Sequence, residues 1–434
     1  MTKAGDAWAQ LFNQYNIAEK VANDGFYDIS SAEFKALHFE PRLLTKVDHS
    51  HQVPPIMDEH GLSILTLTNS TWRIGPFEVF ESLPRWTTPD ETITHKSLPS
   101  WLQSLSKDGI TGEGALVNAA DASGILNDFC GEDLVATING KGRSSAFDFA
   151  VNNKISGTTS IQVRSAQIEI DAGFEGPEAL YLLEAKKHLS LDFNVRQLFY
   201  PFRTWDGRVA KKVRPIFITL ANDVFDLTEF SFPDPSNMSS IELVSSKRYM
   251  LSEELVSESE IVEIAKRAAS SSGRVINRNV PFPQADDFER VIDITEFVSS
   301  EPRSIEDIST NYEFHPRQAD YYFSAARYLG LGEIIRSSDG VNYRRITPLG
   351  EEIIRLPYAA KRKAFAKLVL EIPAVREIYL LKAEHGVLAD MAEVERVVAQ
   401  YSAHEGISGS TIYRRAKTVL AWVRWLLAFN ARVS

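Results

Sequence analysis

The chain has a single cysteine, Cys130, in 434 residues. No internal disulfide can form, and a reducing compartment, the cytoplasm, is expected. No window approaches 18 uninterrupted apolar residues, which leaves no candidate for a membrane-spanning helix. The opening segment MTKAGDAWAQLFNQYN has no long apolar run after its basic residue, so it does not read as a secretory signal. Basic residues are also scarce: 47 Lys+Arg face 58 Asp+Glu, a formal net charge of −11, where a nucleic-acid binder ordinarily shows a basic footprint. The deficit is uneven. Residues 301–434 hold 19 Lys+Arg against 16 Asp+Glu, while the first 300 hold 28 against 42. An acidic body with a slightly basic C-terminal third suits an enzyme that gathers cations in its core and meets nucleic acid through local patches. It suits an ordinary cytosolic protein equally well, so charge alone does not decide.

What is present is the composition of a soluble globular protein, 44% hydrophobic and 24% charged, at a length that implies two to four domains. Residues 6–22 carry apolar positions at helical spacing, with a second short helix expected after Ser30. LSILTLTNSTWRIGPFEVFESLP reads as strand, turn and strand around Asn69-Ser70. The Pro-, Thr- and Ser-rich stretch 84–99 marks a boundary, placing a first α+β domain at 1–100 with a possible role in DNA recognition. A helix over 112–129 is followed by strands at LVATIN, SAFDFAVN, TSIQVRSAQIEID and ALYLLEAK. A helix over 193–202 and three more strands complete an α/β core over 101–255. Residues 256–283 read as a connector, and 284–434 as a helical domain. The expected fold class is therefore α/β multidomain, with a mixed central sheet.

Within residues 161–171, read as one strand, Gln167, Glu169 and Asp171 share a face while Ile168 and Ile170 take the other. In the following strand, after a loop over 172–177, Leu182, Glu184 and Lys186 share a face. Hairpin-like pairing would bring Asp171, Glu184 and Lys186 together. Two carboxylates can hold a hard cation such as Mg²⁺ through oxygen. A lysine beside it can orient water or neutralise charge that develops on a phosphate.

Ile170-Asp171, twelve intervening residues and Glu184-Ala185-Lys186 resemble the motif of the PD-(D/E)XK nucleases, with Ile170 standing where the motif's name has proline. The wider stretch QIEIDAGFEGPEALYLLEAKKHLSLDFNVRQLFYPFRTW resembles prokaryotic type II restriction endonucleases. The resemblance implies a restriction-endonuclease-like core, with Asp171 and Glu184 as Mg²⁺ ligands and Lys186 as the catalytic lysine. Glu113 stands where some relatives carry an extra acid. Gln197 stands where some place a glutamine near the cleft, although Gln197 and Tyr200 are one residue closer together than in that motif. Glu169 is a further acid on the first strand. The implied activity is sequence-specific double-strand cleavage of DNA, most simply by a two-fold homodimer with one site per strand. A repair or modification-dependent nuclease and a non-enzymatic DNA-binding regulator are the rival readings, and the intact trio weighs against the regulator.

Toward the C-terminus, helices expected over 286–298, 304–310 and 316–329 precede a hairpin with its turn at Asp339-Gly340. That order resembles a winged helix, with PRQADYYFSAARYL as the recognition helix. Arg317, Gln318, Tyr321 and Arg327 are then candidates to meet bases or phosphates, with Arg344 and Arg345 flanking the wing. Winged helices also mediate dimerisation, and Tyr322, Phe323, Ala326 and Tyr328 are expected partly in the core. In the last helix, Trp422, Trp425 and Leu426 are expected to pack.

Other signals are weaker. His38, His49, His51 and His60 cluster in a polar loop without cysteine or a helical pair, which argues against structural zinc. That loop, with Arg42 and Lys46, is expected near DNA. INGKGRSS lacks the spacing of a phosphate loop and reads as a hairpin turn, where Lys141 and Arg143 are candidates to touch the DNA backbone.

Overall fold

The structure, a computed structural model, describes residues 3–84, 93–105, 110, 112–155, 157–188, 190–251, 256–270, 280–312, 316–337, 340–402 and 409–428. Two compact units emerge. The first comprises Met1–Arg85, Leu98–Leu220 and Phe225–Arg248, and the second Trp86–Ser97, Ala221–Val224 and Tyr249–Ser434. The expected N-terminal domain therefore packs within the same unit as most of the strands that follow it. No helix among the described residues is long and apolar enough to cross a membrane.

The elements up to residue 95 are α1 (Lys3–Tyr15), α2 (Ile17–Asp24), β1 (Tyr27–Ser30), α3 (Ser31–Ala36), α4 (Pro41–Thr45), α5 (Pro55–Glu59), β2 (Ser63–Thr68), β3 (Thr71–Gly75), β4 (Phe80–Ser82) and β5 (Ile93–His95). The single helix expected over 6–22 is two, because Asn16 adopts a left-handed φ of 50° that ends one and starts the other. Asparagine tolerates that region better than most residues. The turn at Asn69-Ser70 closes β2 onto β3 as expected, and β1 completes a three-stranded sheet of order β1-β3-β2. Trp8, Phe34, Ile64 and Trp72 form the core between this sheet and its helices.

Next come α6 (Glu113–Ala122), α7 (Ile125–Cys130), β6 (Val135–Arg143), β7 (Phe147–Asn153), β8 (Gly157–Val163), β9 (Gln167–Glu175), β10 (Ala179–Lys186), β11 (Asp192–Asn194), α8 (Arg196–Trp205), β12 (Lys212–Ala221), β13 (Val224–Ser231) and β14 (Glu242–Met250). A seven-stranded sheet runs in the order β5-β14-β13-β12-β10-β9-β6. It is mixed, since β10 is antiparallel to β9 and parallel to β12. All eight residues of β10 are buried, as a central strand covered on both faces requires.

Four local expectations are corrected here. Residues 161–171 are not one strand. The chain breaks at 164–166, where Ser165 takes a φ of 60°, so β8 pairs with β7 in a separate ladder and β9 starts afresh at Gln167. The expected loop over 172–177 is mostly strand, because β9 continues to Glu175 and pairs with β10 up to that point. The helix over 112–129 is two helices, broken at Gly124 with a φ of 71°. INGKGRSS is no hairpin turn. Its residues 138–143 form the second half of edge strand β6, absorbed by register shifts against β9, as bulges in edge strands commonly are.

The second unit holds α9 (Glu258–Ser270), α10 (Phe288–Ser300), α11 (Ile305–Asn311), α12 (Pro316–Tyr328), β15 (Gly332–Arg336), β16 (Asn342–Ile346), α13 (Pro348–Ile354), α14 (Tyr358–Leu370), α15 (Pro373–His385), α16 (Met391–Tyr401) and α17 (Gly409–Leu427). The expected three helices and antiparallel hairpin occur in that order. Asp339, half of its anticipated turn, lies outside the described residues. Pro316 opens α12 and Gly330, with a φ of 74°, follows its end. Trp422 is fully buried and donates from Nε1 to the Ala285 carbonyl at 2.7 Å. Trp425 packs on Phe288 with ring centroids 4.2 Å apart. Both tryptophans are packing residues, and Leu426 is buried with them.

Candidate active site

The site forms where two strands part. The β9–β10 ladder ends at Leu183 opposite Ala172. Beyond that pair, β10 continues against β12 alone and β9 against β6 alone. The Ala185 N–H, which has lost its strand partner, is taken instead by the Asp171 carboxylate, Oδ2 at 2.8 Å. Asp171 is thereby fixed level with the Glu184–Lys186 segment. Lys186 Nζ donates to Glu184 Oε1 at 2.7 Å and reaches Glu113 Oε1, at the start of α6, at 3.4 Å. Gln197, in the first turn of α8, donates from Nε2 to Glu184 Oε1 at 2.6 Å. The structure thus gathers five residues singled out from sequence: Asp171, Glu184, Lys186, Glu113 and Gln197.

Electrostatics follow from burial. Glu184 and Lys186 are 7% and 6% exposed. Burial pushes the Glu184 carboxyl up to about 7, outweighing the neighbouring Lys186 ammonium, and Asp171 adds to the rise. Burial also raises the carboxyls of Asp171 and Glu113 above their ordinary range. Lys186 is raised as well, but for a different reason. Burial opposes its charge, but Glu184, Glu113 and Asp171 outweigh that and hold it protonated. Among the described residues, the three acids face a single buried ammonium.

The remaining candidates are placed elsewhere. Glu169 is exposed on the same face of β9 as Asp171, where it meets Lys141 of β6 at 3.5 Å. Arg143 lies opposite Gln167 on that edge strand, also exposed. In α12, Arg317 and Gln318 are exposed. Arg317 donates from Nε to the Tyr321 hydroxyl at 2.8 Å, and Arg327 is half-buried. Arg345 is exposed and paired with Glu333 at 2.5 Å. Arg344 does not stand out at a wing. It is 8% exposed and its guanidinium binds Asp320 of α12 at 3.0 Å, because its position on β16 faces the helix.

Sequence reading missed the anchoring of the segment 46–52 beside these acids. Asp48 is buried and is bonded by Arg196 at 3.3 Å, and Asn194 donates to the Val47 carbonyl at 2.9 Å. His49 is buried, with Nδ1 2.5 Å from the Asp192 carbonyl oxygen and its ring stacked on His51. The polar residues of that loop were the only signal available. Among the described residues, no group of three or more His, Cys, Asp and Glu side chains is arranged to hold a metal ion.

Three families are matched along the chain. Residues 5–74 are similar to a domain of unknown function (DUF6996), 75–250 to a domain of unknown function (DUF6997), and 290–431 to a domain of unknown function (DUF7226). No curated protein and no solved structure matches the chain.

Proposed function

We propose that this chain is a Mg²⁺-dependent endonuclease that cuts both strands of DNA at a specific sequence, as a type II restriction enzyme does. The observation that carries this reading is the meeting of Asp171, Glu184 and Lys186 at the point where β9 and β10 part, with Glu113 and Gln197 brought in from two helices. The donor chemistry fits a hard cation. The Glu184 and Asp171 carboxylates offer oxygen, burial holds both carboxyls above their ordinary range so that a bound cation would favour their charged forms, and the buried Gln197 Oε1 has no hydrogen-bond partner among the described residues. Asp171 and Glu184 would hold Mg²⁺, which when bound polarises phosphate and acidifies water.

The chain's own groups account for the rest. Phosphodiester hydrolysis forms a bond from water to phosphorus and breaks one to the leaving oxygen, while negative charge grows on the phosphate. Lys186, held protonated, supplies N–H donors to that charge or to the attacking water. Gln197 and Glu113 keep the Glu184 carboxylate and Lys186 ammonium oriented. The resemblance to restriction-endonuclease cores and the winged-helix order of α10, α11, α12 and the β15–β16 hairpin favour DNA as substrate. The exposed Arg317 and Gln318 are suited to groove contacts, and a palindromic cut favours a homodimer.

Incubating purified full-length chain with plasmid DNA, with Mg²⁺ and separately with EDTA, tests the proposal. Discrete linear fragments with Mg²⁺ alone are expected. Intact plasmid across methylated and unmethylated substrates would discard the nuclease reading.

A further inference from the structure

The site holds a second lysine, of a different character from Lys186. Lys46 ends the short helix α4 region and its side chain is 63% exposed, whereas that of Lys186 is 8% exposed. The segment carrying it is tightly held. Asn194 donates from its backbone to the Asp48 carbonyl at 2.7 Å and from its side chain to the Val47 carbonyl at 2.9 Å. Gln52 Oε1 accepts from the Asp48 N–H at 2.6 Å and from the His49 N–H at 3.1 Å. Asn194 and Arg196 stand just before Gln197, which binds Glu184. The N-terminal segment is therefore strapped to the mouth of the acidic site. Lys46 is close enough to favour the charged forms of both Glu113 and Asp171.

The charge pattern sets Lys46 apart. Its ion-pair partner, Asp48 at 3.4 Å, is buried and also bound by Arg196 at 3.3 Å. If Lys46 swings away, Asp48 keeps a cation, so no buried charge is stranded. Lys186 has no such freedom, because Glu184 and Glu113 both depend on it. An exposed, long-stemmed ammonium with a dispensable partner, at the rim of a site for a polyanion, is placed to take up a phosphate. Resting on the nuclease reading, we propose that Lys46 is a substrate-binding residue that grips a backbone phosphate of the DNA strand entering the site.

Full-length wild type, Lys46→Ala, Lys46→Gln and Lys46→Arg are titrated with a short fluorescent duplex in Ca²⁺ at several salt concentrations, and cleavage kinetics are measured in Mg²⁺. Loss of one charge-assisted contact is expected to weaken binding roughly tenfold in the Ala and Gln variants. Their salt dependence should be shallower by about 0.9 in log–log slope. KM should rise while kcat holds, and the Arg variant should resemble wild type. Unchanged affinity and slope in both neutral variants, with wild type binding and cutting normally, overturn the role of Lys46 alone. A fall in kcat at unchanged KM overturns it as well. A wild type that neither binds nor cuts any duplex overturns the nuclease reading, and this inference with it.

Discussion

At the scale of single residues, Asp171 and Glu184 answer to different forces within one site. Asp171 replaces a missing strand partner by accepting the Ala185 N–H at 2.8 Å, so its orientation is set by the backbone. Glu184 is set by two donors, Lys186 and Gln197. Asp171→Ala or Glu184→Ala should each lower cleavage about a thousandfold or more, the scale of several kcal/mol of lost metal-assisted stabilisation. Duplex binding by gel shift should be largely retained, and wild-type-like cutting by either variant would refute the assignment. Glu184 also predicts a pH effect. Its ordinary value is 4.5 and burial pushes it up to about 7. Between those values the metal-free folded chain holds a proton that the unfolded chain has released. The stability this contributes is complete below 4.5 and gone above 7, so stability declines as pH rises through that window. Glu184→Gln should lack this part of the decline in urea midpoints measured with EDTA. Parallel curves for the two proteins would count against the buried, proton-holding carboxyl.

At the scale of elements, the site depends on how β9 is held on its other edge. Gly173 lies opposite Leu182 in one ladder and beside Ile138 of β6 in the other. A Cβ at Gly173 would sit 2.8 Å from the Ile138 Cβ, closer than side chains approach in packed interiors. Gly173→Ala should therefore destabilise the protein by about 1–3 kcal/mol through overpacking, read as a lower urea midpoint. An unchanged midpoint would mean that β6 shifts freely. The broken elements teach the same lesson. Helical periodicity runs on through Asn16 and Gly124, whereas the apolar alternation changes phase across Arg164–Ala166, from Ile161 and Val163 to Ile168 and Ile170. Yet each break is made by a residue in left-handed backbone, at Asn16, Gly124 and Ser165, and pattern alone does not report backbone sign.

At the scale of the molecule, the proposed nuclease would cut and read sequence with separate parts of the chain. If α12 reads DNA, Arg317→Ala combined with Gln318→Ala should weaken binding to the cognate site by about tenfold or more, at about 1–3 kcal/mol per lost base contact. The sedimentation coefficient should stay that of wild type. Unchanged affinity would move specificity out of α12. Arg344 belongs to a different experiment, because its buried pairing with Asp320 ties β16 to α12. Its removal is expected to register first as lost stability.

The sequence by itself determined which side chains share a face. Alternation placed Asp171 on one strand face and Glu184 and Lys186 on another, and helical spacing with Pro316 and Gly330 bounded α12. These are properties of neighbours along the chain, and the two-residue and 3.6-residue periods record them. Tertiary structure alone decided what arrives from a distance. It brought Glu113 to Lys186, docked the segment at Lys46 and Asp48 beside Arg196, and turned Arg344 inward to Asp320. Such pairings depend on which surfaces close on one another when the core packs, and local periodicity carries no record of that choice.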